Sequence, residues 1–383
     1  MKRKIVYCTP SLYIPGGVER VLTTKANYLA EKTGYEIYIV LTDGKGKLPY
    51  YPLSPKIHII NLDINFEDLW HQPFWKKSLL YLEKQRVYKK KLRATLCKLT
   101  PDITVSLLRR EINFITQIKD GSKKIGELHI NRMNYRNFKE NEKNCFKQIF
   151  SYLWNKQLVR NLKKLDKFIV LTKQDYDTWV ELDNKLIIPN PLSFFPTDPA
   201  SCTNKTAIAI GRFSHEKGFD LLAQAWKIVN KKHPDWTLQL YGSGNMAPLI
   251  EYIDQLNITS TFRINKSTKK IMDKYCESSI FVLSSRFEGF GMVIAEAMAC
   301  GVPVVSFDCP YGPKDIIRDG EDGLLVENGN VEQLAEQINF LIENEDRRKE
   351  MGKNARSNVK RFAEDKIMQQ WIQLFNNLLN KAY

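Results

Sequence analysis

The sequence predicts an α/β protein built from two doubly wound units, and three observations lead to this expectation. The chain of 383 residues is long for one core and natural for two domains of average size. In each half, short and nearly continuous apolar runs alternate with helical segments, as expected for strands covered on both faces. Between the halves, the stretch 189–205 has four prolines, polar residues and no periodicity, which is typical of a linker.

The first half opens with strand, turn, helix and strand, the unit from which doubly wound sheets are built. A strand at 4–8 precedes the turn TPSLYIPGG, a helix follows at about 18–32, and EIYIVLT forms a second strand. Further strands are predicted in the segments KIHIINL, ITVSLL, KKIGEL and KFIVLT.

The second half repeats this plan in the apolar runs TAIAIGR, WTLQLYG, TFRI, SIFVLSS and VPVVSFD. We therefore predict a first domain at 1–190 and a second domain at 191–362. The tail, 363–383, has apolar residues at helical spacing. We expect it to form a closing amphipathic helix that packs back on the first domain.

Composition and cysteine usage narrow the class of protein. With 43% hydrophobic and 26% charged residues, the chain has the composition of a folded soluble protein. No apolar run approaches the roughly 20 residues that span a bilayer, and the apolar stretch at 5–8 is too short for a secretion signal. Seven scattered cysteines without a CxxC pair argue against a disulfide framework or a structural zinc site. We expect a cytoplasmic protein.

The net charge of +15 lies entirely in the first half, where residues 1–190 hold 35 Lys and Arg against 19 Asp and Glu. This polarity indicates an anionic partner. Two basic stretches, 76–98 and 143–167, have apolar residues at helical spacing. Either their apolar stripes pack on the sheet and the lysines are merely solvated, or their basic faces lie on an anionic membrane surface. Aromatic and arginine residues are not interleaved as on a nucleic-acid platform, so no nucleic-acid partner is expected.

Two segments of the second half place cations and glycines where strands end. GRFSHEKG puts Arg212 and Lys217 at the carboxyl end of a strand, where doubly wound sheets bind ligands. YGSG puts Gly242 and Gly244 at the end of the next strand, where the backbone is able to approach a ligand closely.

A third segment, SSRFEGFGM, turns through a glycine pair into a helix. The free N–H groups at the start of this helix are suited to phosphate oxygens. Glu288 lies on the turn, and Glu296 lies on the helix and points back toward its start. Glu296 also has the plain alternative of capping or pairing with a neighbouring Arg, and Glu288 that of being solvated.

Together these motifs resemble the retaining glycosyltransferases of family 4, which have the two-domain GT-B fold. The resemblance runs from GRFSHEKGFDLLAQAW to DGEDGLLVENG, with GGVER in the first half and IPNP at the hinge. It implies two Rossmann-like domains facing a cleft, no metal or other cofactor, and transfer of a hexose from a nucleotide sugar to a glycan hydroxyl.

The resemblance also implies roles for individual residues. Glu296 would bind the ribose hydroxyls, Glu288 would bind hydroxyls of the donor sugar, and Arg212 with Lys217 would hold the diphosphate. His129, in GELHINR, would lie near the bond being broken. The other positions that the resemblance places at the donor are Gly16, Gly17, Gly242, Gly244, Phe290, Gly291 and Met292. A core or surface histidine, and a plain turn at GG, remain open for the first-half positions.

The sequence says less about the identity of the donor nucleotide sugar and of the acceptor. SFDCPYGPKDII resembles members that use UDP-hexoses, with GDP-mannose as the alternative, and Asn265 stands where the family usually has glycine near the base. The basic first half favours an acceptor at the cytoplasmic membrane, such as a polyprenyl-diphosphate-linked or lipopolysaccharide oligosaccharide. The metal-binding pattern DYD at 175–177 falls in a helix start and is rejected. The rival functions are a GT-B-fold UDP-N-acetylglucosamine 2-epimerase and a non-catalytic basic membrane-binding protein.

Overall fold

A computed structural model describes residues 2–70, 72–135 and 145–380, apart from the side chains of 74 and 145–151. The chain divides into two compact units, the first formed by Met1–Pro191 with Asp365–Tyr383 and the second by Leu192–Glu364. Each unit is a parallel sheet with helices, so the predicted α/β class with two doubly wound units is confirmed.

The first unit has a seven-stranded parallel sheet in the order β3-β2-β1-β4-β5-β6-β7. Its strands are β1 Lys4–Thr9, β2 Glu36–Leu41, β3 Ile57–Asn61, β4 Ile103–Ser106, β5 Lys123–Glu127, β6 Lys167–Val170 and β7 Lys185–Ile187. The order reverses between β1 and β4, which is the topological switch point where such sheets place ligands. The edge strand β7 has three residues and was not predicted, because so short a run carries no periodicity.

Four helices follow strands of the first unit. They are α1 Gly17–Lys32, α2 Phe74–Leu99, α3 Cys145–Leu162 and α4 Lys173–Thr178. The two predicted basic helices are thus present as α2 and α3. In α2, Tyr88, Leu92 and Leu96 are buried in the core of the unit, whereas Leu79 and Leu82 are exposed. Of the predicted apolar stripe, only the residues in the second half of α2 are therefore buried, while Leu80 and Tyr81 in the first half are partly buried against the core.

The second unit has a six-stranded parallel sheet in the order β10-β9-β8-β11-β12-β13. Its strands are β8 Thr206–Arg212, β9 Thr237–Ser243, β10 Phe262–Lys266, β11 Ile280–Leu283, β12 Val304–Phe307 and β13 Gly323–Val326. Five of these coincide with predicted runs, and β13 does not, because its four residues sit inside a glycine-rich segment. Here too the order reverses beside the first strand, between β8 and β11.

Helices cover the second sheet, and the side chains of α5 and α10 contribute to its core. The helices are α5 Phe219–Lys232, α6 Ala247–Gln255, α7 Ile271–Cys276, α8 Met292–Ala299, α9 Pro313–Ile316, α10 Val331–Glu343 and α11 Glu345–Asn358. Short 3-10 turns lie at Phe66–Leu69, Glu111–Asn113, Ile115–Gln117, His215–Lys217 and Val359–Phe362.

The last helix, α12, runs Glu364–Asn380, and its residues from Asp365 onward cluster with the first unit. Trp371 and Phe375 are buried there, and the Phe375 ring lies 6.4 Å from that of Tyr35. Within the described ranges, no helix is long and apolar enough to cross a membrane.

Candidate functional site

The loop after β8 places a lysine at the carboxyl edge of the second sheet. β8 ends at Arg212, the 3-10 turn His215–Lys217 follows, and Gly218 precedes α5 with a φ of 61°. A Cβ atom on Gly218 would lie 2.0 Å from the backbone oxygen of Ser284. Glycine is therefore required both by the left-handed backbone and by the close approach of the neighbouring loop.

The loop after β11 is hydrogen-bonded to the loop after β8. Ser284 Oγ donates to the backbone oxygen of Lys217 at 3.0 Å, and the backbone N–H of Arg286 donates to Glu216 at 2.8 Å. The Arg286 guanidinium binds both carboxylate oxygens of Asp220, at 2.9 and 2.6 Å. This hydrogen-bonded pair holds the pKa of Asp220 below its usual value. A bidentate pair fixes the orientation of the two side chains as well as their distance. Together with the other hydrogen bonds, it holds the two loops side by side at the edge of the sheet.

Lys217 and Glu288 meet at this edge. Lys217 Nζ lies 2.6 Å from Glu288 Oε1, and Ser285 Oγ donates to the same oxygen at 2.7 Å. The side chains are 17% and 9% exposed, so the pair is sheltered yet still reachable from solvent. Arg212 differs, because its side chain is 69% exposed and lies 3.3 Å from Glu216. The structure thus brings Lys217 and Glu288 together and leaves the guanidinium of Arg212 at the rim.

The turn that carries Glu288 leads into α8. The backbone N–H of Glu288 donates to Pro310 at 3.1 Å, and Gly291, with a φ of 89°, is the N-cap of α8. No side chain caps this helix at Gly291. The first N–H groups of α8 thus lack a side-chain cap next to the Lys217–Glu288 pair, and the positive end of the helix dipole favours an anion there.

Glu296 lies one turn inside α8 and is 2% exposed. The hydroxyl of Tyr275 is 3.2 Å from its Oε2 and 3.3 Å from the backbone oxygen of Val293. A buried carboxylate is costly unless it is hydrogen-bonded, and Tyr275 supplies such a bond. Its hydrogen bond to Tyr275 on α7 sets this glutamate apart from a capping residue.

The glycines of YGSG have two different surroundings. A Cβ atom on Gly242 would lie 2.2 Å from the backbone oxygen of Gly211 on the neighbouring strand. The absence of a side chain at Gly242 is therefore explained by strand packing within the unit. Gly244 has a φ of 113°, and a Cβ atom there would lie 3.4 Å from the backbone oxygen of Phe213, so the left-handed backbone conformation explains the glycine at this position.

Phe290 and Met292 flank the α8 N-cap. The Phe290 ring is 4% exposed and packs edge-on against Phe362, with ring centroids 5.4 Å apart. The side chain of Phe290 therefore belongs to the core of the unit, and only its backbone faces the turn. Met292 is the first residue of α8 and is half-buried.

In the first unit, Gly16 and Gly17 start α1 immediately after the β1 loop. Gly16 is the N-cap and has no side-chain cap, and Gly17 is exposed with open space where a Cβ atom would stand. No packing contact therefore requires glycine at position 17. The absence of a side chain leaves the backbone at the start of α1 accessible to a ligand.

His129 follows β5 and belongs to a buried cluster. Its Nε2 lies 3.3 Å from Glu127 Oε1, and its side chain is 6% exposed. Lys25 Nζ on α1 lies 2.6 Å from each carboxylate oxygen of Glu127. Burial by itself would raise the pKa of Glu127, but the charge of Lys25 and the contact with His129 bring it down to about 2. Glu127 is therefore ionised at neutral pH.

Four residues that shape these surroundings, Lys25, Glu127, Arg286 and Tyr275, were not predicted from the sequence. Lys25 falls on the apolar face of α1, and a charge at such a position is the signal that could have identified it, whereas Glu127 ends the charged strand KKIGE and gave no such signal. Arg286 and Tyr275 gave no such signal, because their partners Asp220 and Glu296 are distant in sequence.

Both aspartates of the DYD pattern contact other protein groups. Asp175 is buried, where it accepts hydrogen bonds from the Arg132 backbone at 2.9 Å and from Trp179 Nε1 at 3.3 Å. Burial raises the pKa of Asp175. Asp177 pairs with Lys173 at 2.5 Å. Over the part of the chain that the structure describes, no group of three His, Cys, Asp or Glu residues is arranged to hold a metal ion.

Most of the second unit matches a known protein family. Residues 197–358 match the family described as glycosyl transferases group 1. An uncharacterized glycosyltransferase of Haemophilus influenzae is 28% identical over 382 residues, which cover 96% of this chain and 99% of that protein. A poly(ribitol-phosphate) alpha-N-acetylglucosaminyltransferase of Staphylococcus aureus is 29% identical over 67% of this chain, and the match spans only 51% of that protein.

Among solved structures, a variant of S. aureus TarM in complex with fondaparinux, alpha-GlcNAc-glycerol and UDP superimposes with a TM-score of 0.77. The sequence identity is 19%, and the match covers 98% of this chain and 100% of that one. At this identity the likeness establishes the fold.

Proposed function

We propose a specific transfer reaction for this chain, because its fold is that of GT-B glycosyltransferase structures and residues 197–358 match the family of glycosyl transferases group 1. The protein transfers a hexose from a UDP-sugar to a hydroxyl of a glycan acceptor and retains the anomeric configuration. The reaction serves the synthesis of a surface polysaccharide or lipopolysaccharide on the cytoplasmic side of the membrane.

The observation that carries the proposal is the contact between Lys217 and Glu288 beside the α8 N-cap. In a nucleotide sugar, the hexose is bonded directly to the second phosphate. A site for this donor must therefore bring a cation for the phosphate next to an acceptor for sugar hydroxyls. Lys217 Nζ and Glu288 Oε1, 2.6 Å apart, provide these two groups within one hydrogen bond of each other.

The leaving group determines what else the site supplies. When the bond between the anomeric carbon and the phosphate oxygen breaks, the nucleoside diphosphate gains negative charge. Lys217, the Arg212 guanidinium at the rim and the uncapped N-terminus of α8 are positioned on the same sheet edge to stabilise that charge. In this proposal they take the role of a metal ion, so turnover does not depend on a divalent cation.

The nucleoside end of the donor is assigned to Glu296. This carboxylate is held by Tyr275 at the base of α8, and two neighbouring ribose hydroxyls suit a carboxylate with two acceptor oxygens. UDP is favoured over GDP because SFDCPYGPKDII is similar to users of UDP-hexoses, and because the similar TarM structure holds UDP. His129 is assigned to the donor sugar by the same resemblance.

The acceptor is proposed to be a lipid-linked glycan, presented at an anionic membrane surface. Between 76 and 98 the chain has nine Lys and Arg and one acidic residue. At the start of this stretch, Trp75, Leu79 and Leu82 share one face of α2 and are 80%, 71% and 56% exposed. Exposed apolar side chains next to a basic helix favour shallow insertion between anionic head groups.

Vesicle sedimentation tests the membrane part of the proposal. The protein should sediment with vesicles that contain anionic lipid and stay in solution with zwitterionic vesicles. Replacing Trp75, Leu79 and Leu82 together by Ser should abolish sedimentation, whereas Leu48→Ser, at an equally exposed apolar residue outside α2, should not. Equal binding to both vesicle types, or no binding, would reject the membrane assignment and leave the transfer reaction untouched.

Nucleotide binding and turnover test the reaction. The unfolding temperature should rise more with UDP than with GDP or ADP, because a ligand that binds only the folded state stabilises that state by mass action. With a UDP-hexose and acceptor, proton NMR should show product of the donor's anomeric configuration, and a chelator should leave the rate unchanged. A stable UDP-sugar epimer formed without acceptor would indicate the epimerase instead. No stabilisation by any nucleotide would overturn the proposal.

A further inference from the structure

The first unit buries a full ion pair, Lys25 with Glu127, which the Lys217–Glu288 site does not include. Lys25 and Glu127 are each 1% exposed, and Nζ of the lysine reaches both carboxylate oxygens at 2.6 Å. Taking two charges out of water costs several kcal/mol per ion, and apolar residues of similar volume often give equal or better stability. Stability is therefore a poor explanation for charges at these two positions.

The ammonium group of Lys25 contacts side chains of two further elements, in addition to Glu127 on β5. Lys25 lies on the buried face of α1, and its Nζ is 3.6 Å from the ring centroid of Trp371 on α12 and 5.7 Å from that of Tyr7 on β1. A cation over an aromatic face is attracted to it, and most strongly to tryptophan. Lys25 is thus fixed from both sides, and it fixes the Glu127 carboxylate in turn.

Glu127 has a further neighbour besides the lysine. Its Oε1 lies 3.3 Å from His129 Nε2, two residues beyond the end of β5. An ionised carboxylate only accepts hydrogen bonds, so the imidazole must carry its proton on Nε2. In the neutral ring, Nδ1 is then the acceptor nitrogen.

We propose that Lys25 and Glu127 are positioning residues that fix the ring orientation and the tautomer of His129. Lys25 holds the carboxylate, the carboxylate holds Nε2–H, and Nδ1 is left as the nitrogen available to the donor sugar. This inference rests on the proposed function for the assignment of His129 to the donor. The arrangement of a reacting group, a histidine and a third group that orients it recurs in enzyme sites.

Two paired variants separate positioning from stability. Lys25→Met with Glu127→Leu removes both charges and the acceptor for Nε2–H, whereas Lys25→Met with Glu127→Gln removes the charges and keeps an acceptor oxygen. Both replace the buried pair by neutral groups of similar volume and should fold. The unfolding temperature of each variant, and its increase when UDP is added, show whether the variant is folded.

The two variants should differ in turnover. The Leu form should lose about tenfold to a hundredfold in kcat, by analogy with the loss when a partner that orients a metal-bound histidine is removed, with little change in KM for the donor. The Gln form should lose less, about threefold, because it keeps an acceptor for Nε2–H and loses only the lysine that holds this acceptor. When His129→Asn is added, the Leu form should cause no further loss, because the residue through which it acts is gone.

Nitrogen-15 NMR of labelled histidine gives a readout without turnover. The His129 signals, identified by their absence in His129→Asn, should show the tautomer with the proton on Nε2 in the unmodified protein and in the Gln form. In the Leu form the ring should show a mixture of tautomers.

The outcomes distinguish the two proposals. An unmodified protein that neither transfers the hexose nor hydrolyses a UDP-hexose would sink the proposed function. An active protein whose Leu and Gln forms turn over equally, or whose Leu form still loses activity in the His129→Asn background, would overturn the positioning role alone. The same holds if His129 keeps the Nε2 proton in all forms.

Discussion

Lys217 and Glu288 are joined by a 2.6 Å contact between Nζ and Oε1, although they are 71 residues apart in the sequence. One comes from the loop after β8 and the other from the loop after β11, the two strands at which the order of the second sheet reverses. The crevice at such a reversal is where doubly wound sheets bind ligands. The contact therefore places a cation and a carboxylate together where a donor is expected.

Lys217→Ala should reduce turnover by at least about 10²–10³-fold, the typical loss when one group that stabilises developing charge is removed. The measurement is kcat with a UDP-hexose, combined with thermal unfolding to show that the variant is folded. Lys231→Ala, at the opposite end of α5, is the matched control and should be active. A folded Lys217→Ala variant with unchanged kcat would reject the phosphate role.

Glu296→Gln should weaken UDP binding by roughly tenfold to a hundredfold, because hydrogen bonds to a charged group contribute about 1.5–3 kcal/mol. Tyr275→Phe should have a smaller effect in the same direction, since it removes one hydrogen bond that orients the carboxylate. Isothermal calorimetry with UDP gives both values, and Glu336→Gln on the exposed face of α10 is the control. Unchanged affinity in Glu296→Gln would exclude the ribose assignment.

Gly218→Ala should be much more damaging than Gly329→Ala, although both glycines have positive φ. A left-handed residue costs about 1–3 kcal/mol at either site. At Gly218 the new Cβ atom would also lie 2.0 Å from Ser284, while at Gly329 nothing lies within 4 Å. Urea unfolding compares the two, and calorimetry with UDP should show a further loss for Gly218→Ala because Lys217 is displaced. Equal behaviour would show that the loop contact is unimportant.

The buried pair in the first unit should make stability depend on acid. The pKa of Glu127 is about 2 in the folded state and 4.5 in its ordinary state, so the unfolded chain binds the extra proton first as pH falls. This contribution, on the order of 3 kcal/mol, is present above about pH 4.5 and is lost between about pH 4.5 and 2.

Urea unfolding at several pH values tests this dependence by comparison with the Lys25→Met, Glu127→Leu variant, which lacks the group. As the solution is acidified through this window, the free energy of unfolding of the unmodified protein should fall relative to that of the variant. A difference that stays constant with pH would contradict the ionised state of Glu127.

Much of the architecture can be predicted from local sequence patterns. Strands such as Thr206–Arg212 were predicted to the residue, because a run buried on both faces is continuously apolar and ends at a glycine or a cation. The short strands Lys185–Ile187 and Gly323–Val326 were not predicted, because three or four residues do not define a period. The basic helix α2 was predicted with one apolar stripe, yet the structure leaves Leu79 and Leu82 of that stripe exposed.

Local sequence patterns predict the two α/β units, the glycine and cation motifs at strand ends and the resemblance to family 4 glycosyltransferases. These properties follow from local periodicity and from short spacings that one strand and its loop contain. Three contacts are visible only in the folded chain: Lys217 with Glu288, Tyr275 with Glu296, and Lys25 with Glu127 beside Trp371. Each of these contacts joins residues from separate elements, and its geometry depends on how parallel strands and their helices align in space.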